Sequence, residues 1–207
     1  MQVKKLLKRN TVCVDDVAGV VVKAVRTPVK ALTRAWCAHE AGCLLALAEL
    51  GFANAPKLIT STLDSFTMEK IEGRSLTRGS IDESVFLRLM DVIDQLHGLG
   101  FAHGNLRPNN ILLKGGCEPI LIDFETCCRR PNLLFPLTRF GDQVRLYLIW
   151  QSLVPLSDPI RVQARFPGFL PPIMRVIGPI SRFSDAVAVA KRRLKRSLRS
   201  SVEQRDT

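Results

Sequence analysis

A polar loop holds many of the side chains that could take part in chemistry. Residues 103–110 are too rich in Gly, Pro and Asn to form a helix. Two apolar runs that flank Gly115 and Gly116 follow the loop, and this pattern predicts a hairpin of two strands. The hairpin would bring the amide of Asn110, before its first strand, close to the carboxylate of Asp123, after its second.

Short strands and a helix are predicted before this loop. Residues 12–14 and 19–25 are rich in β-branched side chains and predict a hairpin, whose second strand carries Lys23. Apolar residues recur at helical spacing over residues 32–50 and predict a helix that carries Glu40. A small sheet with one helix is therefore expected at the beginning of the chain.

A second hairpin and further helices are predicted after it. Residues 56–60 and 65–71 have the character of two more strands. Ser80 and Glu83 have the spacing of a capping box, which predicts the start of a helix. Asp142 either opens the helix that supports the polar loop or is an ordinary acid near a helix N terminus. The mixture of hairpins and helices predicts the α+β class.

The composition is that of a globular protein with a basic end. Of the 207 residues, 46% are hydrophobic, which suffices for a core and excludes a disordered chain or a fibrous rod. The formal net charge is +11, and residues 160–207 carry +8 of it. The longest run without charge, residues 146–157, is shorter than the roughly 18 residues of a membrane span, so no transmembrane helix is expected.

The cysteines and the first residues predict a reducing compartment. The six cysteines show no C-x-x-C spacing, and residues 1–10 contain no apolar stretch of a signal peptide. We therefore expect reduced thiols and a cytoplasmic location. Cys127 and Cys128 are adjacent, and adjacent cysteines bridge poorly, so packing is favoured over a redox role for this pair.

Five motifs in a fixed order over residues 20–125 resemble the protein-kinase-like fold. They match the strand lysine, its helix partner, the hinge, the catalytic loop H-x-D-L-x-x-x-N and the metal-binding D-F-G. In this sequence the matching segments are Val21-Val22-Lys23, Glu40, Met68-Glu69-Lys70-Ile71-Glu72-Gly73, His103-x-Asn105-Leu106-x-x-x-Asn110 and Asp123-Phe124-Glu125. The sequence is similar to small bacterial kinase-like proteins that include the lipopolysaccharide (Kdo/heptose) kinases and the RIO-like serine/threonine kinases.

The resemblance implies a two-lobed fold with a short N-lobe and a truncated helical C-lobe. The N-lobe would span residues 1–73 and end in a hinge near residues 69–73. The C-lobe would span residues 74–182 and carry the catalytic and metal-binding loops. A basic amphipathic tail would follow at residues 183–207.

The resemblance also implies ATP and Mg²⁺ as cofactors. Lys23 would hold the α and β phosphates, and Glu40 would fix the lysine by an ion pair. Asn110 and Asp123 would bind the magnesium ion, which prefers hard oxygen ligands. Phosphoryl transfer depends mainly on such positioning and charge neutralisation.

The remaining site residues include one departure from the family pattern. The backbone at Glu69 and Ile71 would pair with adenine, and His103 would buttress the catalytic loop by hydrogen bonding. Asn105 stands where the family has the aspartate that accepts the proton of the substrate hydroxyl. An amide cannot act as a base near neutral pH, and general-base assistance is worth ~10²- to 10⁴-fold.

Two further departures concern the phosphates and the metal. Residues 8–11, at the place of the glycine-rich phosphate loop, contain no glycine, so backbone amides cannot approach the phosphates closely. Glu125 replaces the glycine of D-F-G. The implied function is an ATP-dependent phosphotransferase weakened at Asn105, acting on an alcohol group of an envelope glycolipid sugar or of a protein Ser or Thr. The alternative is a pseudokinase that binds nucleotide or acts as a scaffold.

The basic tail suggests a partner of opposite charge. Over residues 183–200 an apolar stripe alternates with Lys and Arg, the pattern of a basic amphipathic helix. Such a helix suits an anionic membrane surface, which would make the protein peripheral at the inner face of the membrane. A solvated helix end is the alternative. Nucleic acid is not expected as a partner because no aromatic platform accompanies the charge.

Overall fold

The computed structural model describes residues 2–4, 10–25, 30–77, 81–154, 159–168, 170–172 and 174. These residues form mixed α and β structure with antiparallel sheets, as predicted. The chain divides into two compact units, Met1–Pro159 and Ile160–Thr207. The lobe boundaries inferred from the sequence remain predictions, and the tail at residues 183–207 lies outside the described residues.

A five-stranded antiparallel sheet begins the first unit. Its order is β1-β2-β3-β5-β4. The strands are β1 (Gln2–Lys4), β2 (Asn10–Asp15), β3 (Val20–Val25), β4 (Leu58–Ser61) and β5 (Ser65–Glu69). The two predicted hairpins are β2-β3 and β4-β5, and β-branched side chains favour both of them. Strand β1 was not predicted from the sequence.

The helix α1 (Lys30–Glu49) packs on strands β3, β4 and β5. Its Leu44 and Leu47 are fully buried. The helix ends at Glu49, close to the end predicted at residue 50, and Gly51 follows with a φ of 74°, in the left-handed region that glycine adopts without strain. The amide of Phe52 then donates to the carbonyl of Leu47 at 2.9 Å, which satisfies a carbonyl of the last turn.

The next helix, α2 (Glu83–Gly98), follows the short strand β6 (Gly73–Ser75). Its N-cap is Asp82, whose Oδ1 accepts a hydrogen bond from the amide of Val85 at 2.8 Å. The predicted capping box at Ser80 is therefore wrong, and Ser80 itself lies outside the described residues. The Asp82 carboxylate both accepts an end amide and interacts favourably with the helix dipole.

Short strands frame the polar loop. They are β7 (Phe101–Ala102), β8 (Ile111–Lys114), β9 (Glu118–Leu121) and β10 (Cys128–Arg129), and a single 3₁₀ turn spans Pro108–Asn110. The predicted hairpin is β8-β9, joined through the glycines at 115 and 116. Strand β6 pairs with β8 to give the sheet β6-β8-β9, and β10 pairs with β7.

The long helix α3 (Phe135–Leu153) packs on α2, β7 and β10. Asp142 is in its interior, so the prediction that this residue opens a helix is wrong. The helix begins about two turns earlier, at Phe135, with Pro136 in its first turn, where proline is tolerated. A short helix, α4 (Pro159–Gln163), follows. None of the helices in the described residues is long and apolar enough to cross a membrane.

Candidate functional site

The centre of the site is an ammonium group between two carboxylates. Lys23 Nζ on β3 lies 2.6 Å from Glu40 Oε1 on α1 and 3.2 Å from Asp123 Oδ1. Burial by itself lowers the pKa of Lys23, but the two carboxylates outweigh it and raise the pKa above its usual value. Lys23 is therefore a cation at neutral pH.

Glu40 ties three parts of the chain together. Its Oε1 accepts hydrogen bonds from Lys23 and, at 3.2 Å, from the backbone amide of Phe124. The side chain is only 1% exposed, and its Oε2 is buried with no hydrogen-bond partner among the described residues. The helix α1 thereby fixes the lysine and the segment after Asp123 in one arrangement.

Asp123 is the carboxylate of the cluster that reaches solvent. Its side chain is 23% exposed. Its φ of 70° lies in the left-handed region, a conformation that costs roughly 1–3 kcal/mol at a residue other than glycine. Oδ2 accepts hydrogen bonds from the amide groups of Asn105 at 3.2 Å and Asn110 at 3.4 Å. The strained backbone turns this carboxylate toward the lysine and both asparagines.

The imidazole of His103 is a buried support for the loop at 103–110. Its Nδ1 accepts the backbone amide of Asn105 at 3.2 Å, so Nε2 carries the proton and donates it to the carbonyl of Ile122 at 3.0 Å. Burial lowers the pKa of His103, and the neutral tautomer fits both hydrogen bonds. Its ring also packs against Phe124, with 4.8 Å between the ring centroids.

Asp142 anchors the same loop from α3. Its fully buried carboxylate accepts hydrogen bonds from the amides of His103 at 2.7 Å and Gly104 at 3.0 Å. His97, at the end of α2, contacts it at 3.2 Å through Nε2. The sequence carried a signal for this anchor, because Asp142 lies on the same helix face as the apolar Leu146 and Ile149. An acid on a buried face needs such partners.

Gly104 is required by the path of the chain. Its φ is 75°, and a Cβ atom at this position would lie 2.4 Å from the carbonyl oxygen of Thr126. The close approach holds the loop against the segment that follows Asp123, where Thr126 Oγ1 donates to the carbonyl of His103 at 3.4 Å.

The remaining predicted residues lie on either side of this cluster. Asn110 donates through Nδ2 to the carbonyl of Asn105 at 2.9 Å, in addition to its contact with Asp123. Glu69 is the last residue of β5, in the strand that pairs beside Lys23, and its amide donates to the carbonyl of Lys57 at 2.9 Å. Its carbonyl is thus the backbone group that Glu69 can offer to a ligand. Ile71 follows in the connection to β6 and is half-buried.

The donor set fits magnesium. Within the residues that the structure describes, no group of three His, Cys, Asp or Glu side chains could hold a metal ion. Asp123 and Asn110 supply two oxygen-bearing side chains within hydrogen-bond distance of each other. Magnesium usually takes one or two protein oxygen ligands and fills its other positions with water and substrate phosphates.

Sequence similarity to known proteins is limited to part of the chain. No protein-family profile matches the chain. A curated protein of Methanoculleus marisnigri, named a probable bifunctional tRNA threonylcarbamoyladenosine biosynthesis protein, is 32% identical over 81 residues, which are 39% of this chain and 15% of that protein.

Among solved structures, the crystal structure of the Rio2 kinase-ADP/Mg²⁺-phosphoaspartate complex from Chaetomium thermophilum is similar to this one. The TM-score is 0.56 at 18% sequence identity, and the similarity covers 75% of this chain and 57% of that chain. The chain therefore has a protein-kinase-like fold.

Proposed function

We propose that this protein binds ATP with Mg²⁺ and acts as a kinase-like phosphotransferase on an alcohol group, with activity weakened at Asn105. The observation that carries the proposal is the cluster of Lys23 with Glu40 and Asp123. A role in stability alone is a poor explanation of a buried lysine between two carboxylates of distant segments, because burying such charges is costly. The cluster is well suited to a ligand that brings negative phosphates and a divalent cation.

The residues of the site have separable tasks in this proposal. Lys23 binds the α and β phosphates, and Glu40 orients the lysine. The carbonyl of Glu69 and the amide of Ile71 pair with the adenine. The sheet β1–β5 with α1 would form the N-lobe, and α2, α3 and the short sheets would form the C-lobe.

Asp123 and Asn110 would hold the magnesium ion. When bound, the ion neutralises charge on the phosphates during transfer. His103 keeps the loop that carries Asn105 and Asn110 in place beside Asp123, and Asp142 anchors that loop through its backbone.

Asn105 supports a second candidate function, that of a pseudokinase. Its Nδ2 donates to Asp123 Oδ2 at 3.2 Å, so the amide is oriented as a hydrogen-bond donor toward the metal-binding carboxylate. An amide in this position accepts no proton from a substrate hydroxyl. The protein would then bind nucleotide and act on a partner without catalysis.

The acceptor is a prediction from the sequence resemblance, and the location is a prediction from the cysteines and the basic tail. The lipopolysaccharide kinase resemblance favours the sugar of an envelope glycolipid, and the RIO-like resemblance favours a protein Ser or Thr. We propose a cytoplasmic protein whose basic tail, residues 183–207, contacts an anionic membrane surface at the inner face.

Thermal unfolding with and without Mg²⁺-ATP tests the nucleotide site. A ligand that binds only the native state raises the unfolding midpoint by mass action. We expect a rise that requires magnesium and that is lost in Asp123→Ala and in Lys23→Met. Lys114→Met, on the exposed end of β8, is the control that should keep the rise. No rise in the unmodified protein at millimolar ATP would contradict the proposed site.

Turnover of Asn105→Asp separates the two candidate functions. If the protein is a weakened transferase, the natural protein consumes ATP slowly, by hydrolysis or by transfer of the phosphoryl group. The Asn105→Asp variant then increases this rate by roughly 10²-fold or more. The pseudokinase shows no turnover in the natural protein, although it still shows the magnesium-dependent rise in midpoint.

A further inference from the structure

Three leucines protrude at the start of α3. Leu133 is 95% exposed, and Leu134 and Leu137 are 62% and 68% exposed. Leu134 and Leu137 are three residues apart at the first turn of the helix, so they are neighbours on its surface. Single exposed leucines are common, but exposed leucines that stand together mark a surface for a partner.

Hydrogen bonds fix the turn that carries Leu133. The amide of Asn132 donates to the carbonyl of Arg129 at 3.1 Å. The side-chain Oδ1 of Asn132 accepts the amide of Leu134 at 2.8 Å, and its carbonyl accepts the amide of Phe135 at 3.0 Å. The backbone of the leucines is therefore ordered in advance, which lowers the entropic cost of binding a partner.

Two arginines before the leucines stack on aromatic rings. The guanidinium of Arg129 lies over the ring of Phe101, 5.1 Å from its centroid, and that of Arg130 lies 4.7 Å from the centroid of Phe135. Both arginines are exposed, and no ion pair between described residues involves either of them. A guanidinium that is stacked on a ring still presents the N–H groups of its edge to a phosphate.

The charge of residues 126–141 is positive throughout. This stretch contains Arg129, Arg130 and Arg139, which are all exposed, and no Asp or Glu. The next acid along the chain, Asp142, is fully buried. The partner of this surface must therefore combine negative charge with an apolar layer. A second copy of the chain would bring the same positive charge, which opposes self-association.

We propose that these side chains dock on an anionic lipid bilayer, with the leucines inserted below the headgroups. The Leu-Arg surface consists of Arg129, Arg130, Leu133, Leu134 and Leu137. An anionic bilayer offers phosphates to the arginines and, beneath them, an apolar layer to the leucines. A protruding leucine enters a fluid acyl layer without a matching pocket, whereas an acidic protein would need a pocket for each leucine.

The Leu-Arg surface is a weak contact by itself. Three leucine side chains contain about as many carbon atoms as one myristoyl chain, and a single such chain gives only marginal, reversible membrane binding. Stable binding takes a second signal, and the charge of the basic tail, residues 183–207, would supply it. The inference therefore rests on the membrane location proposed above, and it adds the surface that enters the lipid.

The Leu-Arg surface belongs to the segment that leads from Asp123 to α3. This segment is part of the unit Met1–Pro159, which also holds the candidate site. A membrane contact here would confine the site and a glycolipid acceptor to the same surface, which raises the effective concentration of the acceptor.

The first test is sedimentation of the full chain with vesicles of phosphatidylcholine and phosphatidylglycerol. Leu133→Asn/Leu137→Asn should weaken binding by about 100-fold, which is roughly tenfold for each leucine withdrawn from lipid. Both side chains are exposed, so the unfolding midpoint should stay unchanged. Leu63→Asn is the matched control that should keep the binding, because Leu63 is 72% exposed between β4 and β5.

The arginines are tested by charge removal. Arg130→Gln should weaken binding to the same vesicles by about fivefold at low salt. High salt should abolish this difference, because it screens exposed charges. Lys57→Gln is the control, since it removes an exposed positive charge outside the Leu-Arg surface and should weaken binding less.

Insertion itself is measured by quenching of tryptophan fluorescence with lipids that carry bromine on their acyl chains. Leu133→Trp should be quenched when vesicles are added, and Leu63→Trp should not. The natural protein gives the background of its own tryptophans, of which Trp150 is buried.

The outcomes distinguish this surface from the proposed location. Equal sedimentation of the natural protein and the double leucine variant would overturn the Leu-Arg surface and leave the location intact, and so would a lack of quenching in Leu133→Trp on bound vesicles. A natural protein that does not bind anionic vesicles would contradict both. Self-association that the leucine variant abolishes, with unchanged vesicle binding, would assign the surface to a second copy and overturn the proposal.

Discussion

At the scale of single residues, the site depends on one buried cation with two acidic partners. Lys23 was predicted from a β-branched strand and its resemblance to the kinase lysine, and Glu40 from its place on the following helix. Spacing alone could not predict that Glu40 also accepts the amide of Phe124, because that contact joins residues 84 positions apart. The left-handed backbone of Asp123 could not be predicted from the sequence either, because the surroundings impose this conformation on an aspartate.

The Lys23–Glu40 pair should show strong energetic coupling. Glu40→Ala leaves a buried ammonium with only Asp123 as a partner and should lower the free energy of unfolding by about 3 kcal/mol. The double variant Lys23→Met/Glu40→Leu should be less destabilised than the sum of Lys23→Met and Glu40→Leu, because neither charge is left unpaired. Urea unfolding of the four proteins measures this coupling.

An exposed ion pair provides the comparison. Arg34 and Asp64 are hydrogen-bonded, with side chains 36% and 59% exposed, and Arg34→Ala should change stability little because solvent screens such pairs. For the buried pair, additive changes in the free energy of unfolding at Lys23 and Glu40 would contradict the buried arrangement.

The buried imidazole of His103 should make stability depend on pH. Burial lowers the pKa of His103 in the folded protein, so the stability that it contributes is present above its unfolded pKa of about 6.5 and is lost as the pH falls below that value. The unfolding midpoint of the natural protein should exceed that of His103→Gln at pH 7.5, and this difference should narrow at pH 5.5. A difference that widens toward acid pH would mean that the folded state favours the imidazolium.

At the scale of elements, the hairpins and helices formed by neighbouring residues were predictable from the sequence, and the pairs of short, distant strands were not. The hairpins β2-β3, β4-β5 and β8-β9 and the helix α1 follow from local patterns of β-branched, apolar and glycine residues. The pairs β6-β8 and β7-β10 join strands of two or three residues that lie far apart in the sequence. Such short strands carry too little pattern to be recognised, and tertiary contacts alone determine their partners.

The close approach of the loop at 103–110 to Thr126 predicts that Gly104 does not tolerate a side chain. Gly104→Ala should be destabilised by about 1–2 kcal/mol for its left-handed backbone and by roughly 1–3 kcal/mol more for the clash with Thr126. Gly115→Ala is the matched control, since Gly115 has a φ of 59° and a Cβ atom there would have no heavy atom within 4 Å. Thermal unfolding measures the stability of both variants. An equal loss of stability in Gly104→Ala and Gly115→Ala would exclude a clash with Thr126.

At the scale of the whole molecule, residues of the β1–β5 sheet and of the helical part are joined in one unit by polar contacts. Asn54, after α1, donates through its side-chain amide to the carbonyl of Pro119 at 2.9 Å, and its backbone carbonyl accepts a hydrogen bond from the amide of Leu121 at 2.8 Å. Together with the bond between Glu40 and Phe124, these contacts join α1 and the segment after it to the hairpin β8-β9 and the segment after Asp123. The composition predicted a globular chain, but it could not predict these links, which join residues that are far apart in the sequence.

The division of the chain predicts that nucleotide binding does not need the basic tail. All the residues of the candidate site lie in the unit Met1–Pro159. Deletion of residues 184–207 should leave the magnesium-dependent rise in unfolding midpoint intact, while removing any sedimentation with anionic vesicles. If the shortened protein also lost the response to Mg²⁺-ATP, the separation of the two functions would be wrong.

The carboxylate of Asp142 should protect amides of the loop at 103–110 from hydrogen exchange, as regular secondary structure does. The amides of His103 and Gly104 both donate to it, and it sits in the interior of α3. These two amides can meet solvent deuterium only when the loop and the helix separate. In a hydrogen-exchange experiment they should be protected about as long as the amides of the helix itself, so the loop opens with α3 as one cooperative unit.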